Sequence, residues 1–345
     1  MSLLRQAYFY EINILKNLYM TNQNLLKGIL FVGLGASFYG MLATFVKLAY
    51  GEGHSTAEVT ASQFILGIIM LSIINLTMHF SGKTSVPFKS NDRIKLLLAG
   101  SSLGFTSLFY YIAVQYINVS IAIVLLMQTV WLSVLVEALI TKSFPSIKKI
   151  IAVIIVLVGT ALATNLIGQE INLDWKGVFW GFLAACSFTL TMFTANGIAN
   201  YLPPYKKTLY MVLGGSIIVS IFCFFTQIGP YYLPNLLPFQ SILGQDFIVE
   251  KPFDYTIFFK WGIVLSLFGT VLPPILLNLG FPNTGLGLGS IISSIELPVS
   301  VMMAFILLNE QVLWIQWTGI AIILFAIVFM NLDQVFPSQR KQKDI

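Results

Sequence analysis

Apolar residues run along this chain in long blocks separated by short polar interruptions. The blocks fall at about 25–50, 57–80, 94–116, 118–141, 147–167, 174–200, 207–229, 257–280, 284–308 and 313–333. Each can supply the roughly 20 residues that an α-helix needs to cross a bilayer. None alternates with period two, which excludes the ten-residue strands of an outer-membrane barrel. The pattern predicts an all-α polytopic membrane protein of ten transmembrane helices. Composition agrees: of 345 residues 57% are hydrophobic and 10% charged, against about 25% charged in soluble domains. So few charges cannot cover a water-facing surface of this size.

The placement of those charges predicts an orientation. Of 19 Lys and Arg residues, 15 fall before span 1, in the even-numbered loops or in the tail; Lys47, Lys176, Lys251 and Lys260 are the exceptions. Eight acids, Glu58 among them, share the other face. The positive-inside rule then makes both termini cytoplasmic, in the inner cell membrane. The net charge of +5 becomes a topology signal, with no nucleic-acid partner implied. The expected organisation is a cytoplasmic or interfacial segment 1–24, a first repeat 25–167, a second repeat 174–333 and a basic tail 334–345. Within the second repeat, 229–256 holds Pro230, Pro234, Pro238 and Pro252 among aromatic and aliphatic residues. It is expected to form an outward cap on the membrane surface.

The two halves resemble each other. Lys27-Gly28-Ile29 opens span 1 as Lys176-Gly177-Val178 opens span 6, and an offset of 167 aligns Trp131 with Pro298, Ser143 with Glu310 and Gly159 with Ala326. Because each half has five spans, the second enters from the opposite side, giving two inverted five-helix repeats. The run Ser294-Ile-Glu296-Leu-Pro298-Val, then Leu307-Leu308-Asn309-Glu310, then Gln316-Trp317-Thr318-Gly319 resembles the drug/metabolite transporter superfamily, specifically its EamA-type members. That resemblance implies ten helices in two repeats and the export of small metabolites. The first half departs from the family pattern with Trp131 where proline is usual and Ser143 where glutamate is usual, and 229–256 is longer than the family's connection.

Candidate chemistry is sparse. Apart from Glu58, Asp174 and Asp333 at the very ends of spans, Glu137 and Glu296 are the acids placed inside spans. Glu296 stands near the bilayer midplane, where an ionised carboxylate facing lipid costs several kcal/mol. Ser293, Glu296 and Ser300 recur at helical spacing, so this polar stripe is expected to face the bundle interior. Glu137, near the cytoplasmic end of span 4, can be satisfied by a salt bridge or water. At comparable depth, Gln128 and Trp131 share a face of span 4 and Tyr39 lies in span 1. Glu296, Ser293, Gln128, Trp131 and Tyr39 are therefore the expected lining of a central solute cavity, with Glu296 also the candidate protonation site. Pro273 and Pro274 in span 8 and Pro298 in span 9 are the expected hinges or helix breaks, since proline removes a backbone donor. Gly100-xxx-Gly104 and Gly285-Leu-Gly287-Leu-Gly289 suit close helix approach.

No Lys or Arg lies at the midplane, which argues against phosphorylated solutes. A neutral, zwitterionic or cationic amino-acid-like metabolite fits better. Cys186 and Cys223 both sit in apolar runs, and His54 and His79 in a loop and at a span end. No metal, cofactor or intramembrane protease site is expected from them. The expectation is a secondary transporter working by alternating access, with proton coupling through Glu296 and the lipid bilayer as its other partner. The alternative is a non-transporting membrane scaffold or a lipid-translocating subunit.

Overall fold

The structure is a computed structural model that describes residues 2–81, 86–89, 91–117, 119–165, 174–238, 247–309 and 311–335, with side chains described outside 2–22, 119–120 and 331–335. The tail 334–345 and the tip of the 229–256 segment thus fall largely outside the described residues.

Helices follow the apolar blocks. They are α1 (Ser2–Gly51), α2 (Thr56–Phe80), α3 (Asp92–Tyr116), α4 (Val119–Leu126), α5 (Thr129–Thr141), α6 (Ile147–Ala163) and α7 (Trp175–Gly197). After them come α8 (Pro204–Tyr232) and α9 (Phe258–Thr284), then α10 (Leu286–Ser293), α11 (Glu296–Leu308) and α12 (Trp314–Val335). Among the described residues, eight runs are long and apolar enough to cross a membrane, with α4 and α5 forming one and α10 and α11 another. The fifth and tenth expected spans fall on α6, 17 residues or about 25 Å long, and on α12, whose apolar stretch is Trp314–Met330. These two pack on each other, with Gly159 against the Gly319 carbonyl and Ile323. The expected segment 1–24 belongs to α1 itself, which runs unbroken from Ser2; Thr21-Asn22-Gln23-Asn24 contains no Pro or Gly to stop it.

Spans 4 and 9 are each interrupted, at one register. Leu286, Glu296 and Leu308 lie 167 residues after Val119, Thr129 and Thr141, so both helices start, break and end together. Gln128 (φ −59°, ψ −18°) and Ile295 (φ −60°, ψ −19°) carry the two breaks, and left-handed Lys142 (φ 51°) and Asn309 (φ 53°) close the two helices. Pro298 sits in the first turn of α11, where its missing N–H has no helical partner to lose. Because Trp131 holds the matching place after the same break in span 4, proline alone does not cause it. In α9 the backbone widens into π-type turns at Phe258–Gly262 and Leu267–Val271, and Pro273 and Pro274 occupy the first turn that follows.

Packing repeats the internal symmetry. α1 lies against α9 and α11 as α7 lies against α3 and α5, while α2 with α8 and α6 with α12 pair as mates. A Cβ at Gly28 would meet Asn283 and Thr284, and one at Gly177 would meet Tyr116 and Ile117. The repeat therefore relates α1 to α7 by 149 residues and α3 to the end of α9 by 167. The second offset is larger because the α8–α9 connection is longer than the α2–α3 connection. Backbones interlock where glycines meet: Gly100 faces the Met211 carbonyl and Gly214 the Leu97 carbonyl. Outward faces carry exposed Leu30, Leu98, Phe259, Trp314 and Phe325, as lipid-facing helices require.

The segment before α9 is strapped to the start of α2. Ser55 and Glu58 form a reciprocal capping box. Fully buried Glu58 also accepts from Gln227 Nε2 at 2.8 Å, from the Asp254 amide at 2.9 Å and from Lys251 Nζ at 3.0 Å. Phe253 and Ile257 fill the core beneath, and Phe247 meets the ring of Tyr116 at the end of α3.

Candidate functional site

The symmetry is broken at one end of the bundle, and a cavity results. At the end bearing Lys149 and Lys206, α5 packs on α10, and α7 packs on both α10 and the 272–284 stretch of α9. The mates of these contacts at the opposite end are α11 with α4, α1 with α4, and α1 with α3; none packs comparably. Between them opens a cavity of about 1090 Å³, a volume that includes the open solvent at its mouth.

Its floor is Tyr39 from α1, Leu126 from α4, Phe188 from α7, and Glu296 and Leu297 from the start of α11. Tyr39 meets Phe188 edge to face, with ring centroids 5.9 Å apart. The walls are Ala43 and Val46 of α1 and Thr106, Ser107, Tyr110 and Tyr111 of α3, rising to Lys47, Tyr50 and Val114 at the mouth. Beneath the floor, buried Val32, Met192, Leu277, Phe281 and Ile292 close the path to the other end. An adjoining cavity beside α11 is lined by Thr44, Gln311 and Gln316, and shares Lys47 and Ser300 with the first.

The break in span 9 is what presents Glu296. It puts the carboxyl in the first turn of α11, and Gly40 lets α1 approach so closely that a Cβ there would strike the Glu296 carbonyl. Glu296 Oε2 and the Tyr39 hydroxyl are buried without a hydrogen-bond partner. Buried polar atoms in this condition cost about 1–3 kcal/mol each unless something fills the space beside them. The arrangement can hold a small solute: an aromatic box offering an acid and a hydroxyl at its base, with Glu296 and Lys47 the carboxylate and ammonium among its lining residues.

Of the residues named from the sequence, Glu296 and Tyr39 come together here, and Ser300 of the same stripe lines the wall. Ser293 lies below the floor, buried, donating to the Gly289 carbonyl at 2.9 Å. Gln128 and Trp131 satisfy each other, Trp131 Nε1 donating to Gln128 Oε1 at 2.9 Å while Gln128 Nε2 donates to the Val124 carbonyl. Neither lines the cavity. Glu137 pairs with Lys149 at the closed end, against Gly287. Missing from the sequence reading are Tyr50, Tyr110 and Tyr111. The test that selected Tyr39, an aromatic with a polar atom at depth, would have flagged Tyr110 and Tyr111.

Comparison with known proteins agrees with this architecture. No functionally curated protein matches the chain. Solved structures do: one, titled only as the crystal structure of a protein, superposes with a TM-score of 0.68 over 88% of this chain and 97% of its own, at 11% sequence identity. That likeness establishes the shared fold. The profile of the EamA-like transporter family matches twice, over residues 26–165 and 175–332. With both halves matched, this multi-pass membrane protein belongs to the EamA-like transporter family.

Proposed function

We propose that the protein is a secondary transporter that exports a small amine-bearing metabolite, cationic or zwitterionic, by alternating access between its two inverted halves. The observation that carries this reading is the broken symmetry: one set of helix contacts is closed at one end, and its mates are open at the other. Two copies of one unit in different arrangements can exchange them, which moves the opening across the membrane. In this reading α6 and α12 complete ten crossings, the basic end is cytoplasmic by the positive-inside rule, and the cavity opens outward. Glu296 and Tyr39 contact the solute's ammonium, the tyrosines and Phe188 its apolar body, and Glu296 exchanges the solute for a proton.

A matched series tests it: 2-phenylethylamine, phenylalanine and 3-phenylpropionate share one ring and differ in charge. Thermal stabilisation of the purified protein should rank the amine first and the acid last. Glu296→Gln should weaken 2-phenylethylamine about 10- to 150-fold, the equivalent of one charged hydrogen bond of about 1.5–3 kcal/mol. In proteoliposomes, flux should respond to an imposed pH gradient in the parent and lose that response in Glu296→Gln. A variant that keeps the full response removes the coupling, and acid binding as tightly as amine removes the solute class.

A further inference from the structure

We infer that the closed seam at the basic end is a second solute-binding chamber, lined by Thr129, Ser133, Thr189, Asn278, Ser290 and Ser293. The inference rests on the alternating-access reading above. Thr129 and Ser133 are the mates of Glu296 and Ser300, Ser290 and Ser293 of Ile123 and Leu126, Asn278 of Tyr111, and Thr189 of Gly40. All six counterparts line the open cavity. Local geometry confirms the pairing: Tyr111 donates to Gln63 as Asn278 donates to Thr208 and Met211, and α11 touches Gly40 as Thr129 touches Thr189. Tyr39 and Phe188 are mates of each other and form the shared partition.

The seam's chemistry is unusual for a permanent contact. All six side chains are buried, Ser133 and Ser290 fully so, close to an apolar cluster that includes Val32, Met192, Leu277, Phe281 and Ile292. The hydroxyls are held within the protein, Thr129 to Thr189 at 2.8 Å and Ser290 and Ser293 to carbonyls of their own helix at 2.9 Å. Asn278 Oδ1 has no partner at all. A helix interface that never opened would gain by replacing such groups with apolar ones. One that opens to water and solute has use for them. None of the six is ionisable, so this chamber takes a small polar solute through uncharged hydroxyl and amide hydrogen bonds. The station at Glu296 holds the same solute by charge. On the basic side the seam's carboxylate, Glu137, is already paired with Lys149.

Thiol reactivity tests the seam. In a chain carrying Cys186→Ala and Cys223→Ala, single changes Ser133→Cys and Ser290→Cys are compared with Thr160→Cys, fully buried on α6, and with Ser300→Cys in the open cavity. The probe is N-ethylmaleimide on protein in liposomes. Both seam positions should react at least about tenfold faster than Thr160→Cys, an opening easier by about 1.4 kcal/mol. Saturating 2-phenylethylamine or phenylalanine should slow them. Seam rates equal to Thr160→Cys overturn the inference, as do fast rates that neither compound alters. Should a variant fail to fold, hydrogen exchange on the unsubstituted chain gives the same decision: amides of 286–293 exchange faster than those of 152–160, or the inference fails. Failure of the transport reading has a different signature, with none of the three aromatic probes bound or moved while Ser300→Cys remains reactive.

Discussion

The strap over the cavity's end hangs on one buried carboxylate, and Glu58→Gln measures how much. Glu58 Oε1 accepts from Gln227 Nε2 (2.8 Å) and the Asp254 amide (2.9 Å), and Oε2 accepts from the Ser55 amide (2.7 Å) and Lys251 Nζ (3.0 Å). His54 Nδ1 also stands 3.5 Å from Oε2. Glutamine keeps the shape but turns an NH₂ toward two of these four donors. The less damaging orientation faces Lys251, whose side chain is 38% exposed and can turn to water. Even so, the Ser55 bond is lost, Lys251 loses its buried partner, and the two remaining bonds lose their charge. Charge-assisted bonds contribute about 1.5–3 kcal/mol against about 1 for neutral ones, so the change should cost about 3–5 kcal/mol. Lys251→Met should cost less, because its pairing is partly screened. Chymotrypsin cleavage of the strap in detergent, after Phe253 or Tyr255, reads the local effect, and the apparent unfolding midpoint at fixed scan rate the global one. An added opening of about 3 kcal/mol raises the detached population more than 100-fold, and cleavage with it. Unchanged cleavage and midpoint in Glu58→Gln would refute the view that this carboxylate holds the strap to α2.

Three further outcomes follow from the packing. Gly100→Val should destabilise the fold by about 1–3 kcal/mol in thermal unfolding, because its Cβ has the Met211 backbone in its way, whereas Gly197→Ala, with open space around it, should not. Tyr39→Phe should leave the unfolding midpoint unchanged or raised, since it removes a buried hydroxyl without a partner, yet weaken 2-phenylethylamine in the same thermal-shift assay. Asp254 is held below its ordinary value first by the Thr256 hydroxyl and then by the Thr256 amide. What this carboxylate adds to stability is present above its unfolded value and lost as pH falls through the lower folded one. Thr256→Ala should therefore move acid release of the strap, followed by pepsin cleavage across the acid range, to higher pH.

What the sequence discloses about the site divides along a physical line. Glu296 was legible because a carboxylate at midplane is expensive wherever it stands, so its position alone announces a constraint. Tyr39 was legible for a milder version of the same reason. Gln128 and Trp131 met that criterion too, and the fold spends them on each other across three residues of one helix, an outcome that spacing permits but cannot rank against pointing inward. The break in span 4 was hidden because proline served as its marker, and the matching position carries Trp131. Helices can be interrupted by what packs on them, and Gly40 against Glu296 with Thr189 against Thr129 records that pressure on both halves. The sequence leads one to expect a cap from 229–256, but the attachment of 251–254 through Glu58 joins residues almost 200 positions apart, a distance no local pattern spans. The internal repeat, faint as a row of identities, becomes the strongest inference once helix ends and breaks fall in register. It turns each lining residue of the open cavity into a statement about a buried one, and so singles out a closed seam of hydroxyls as the counterpart of that cavity.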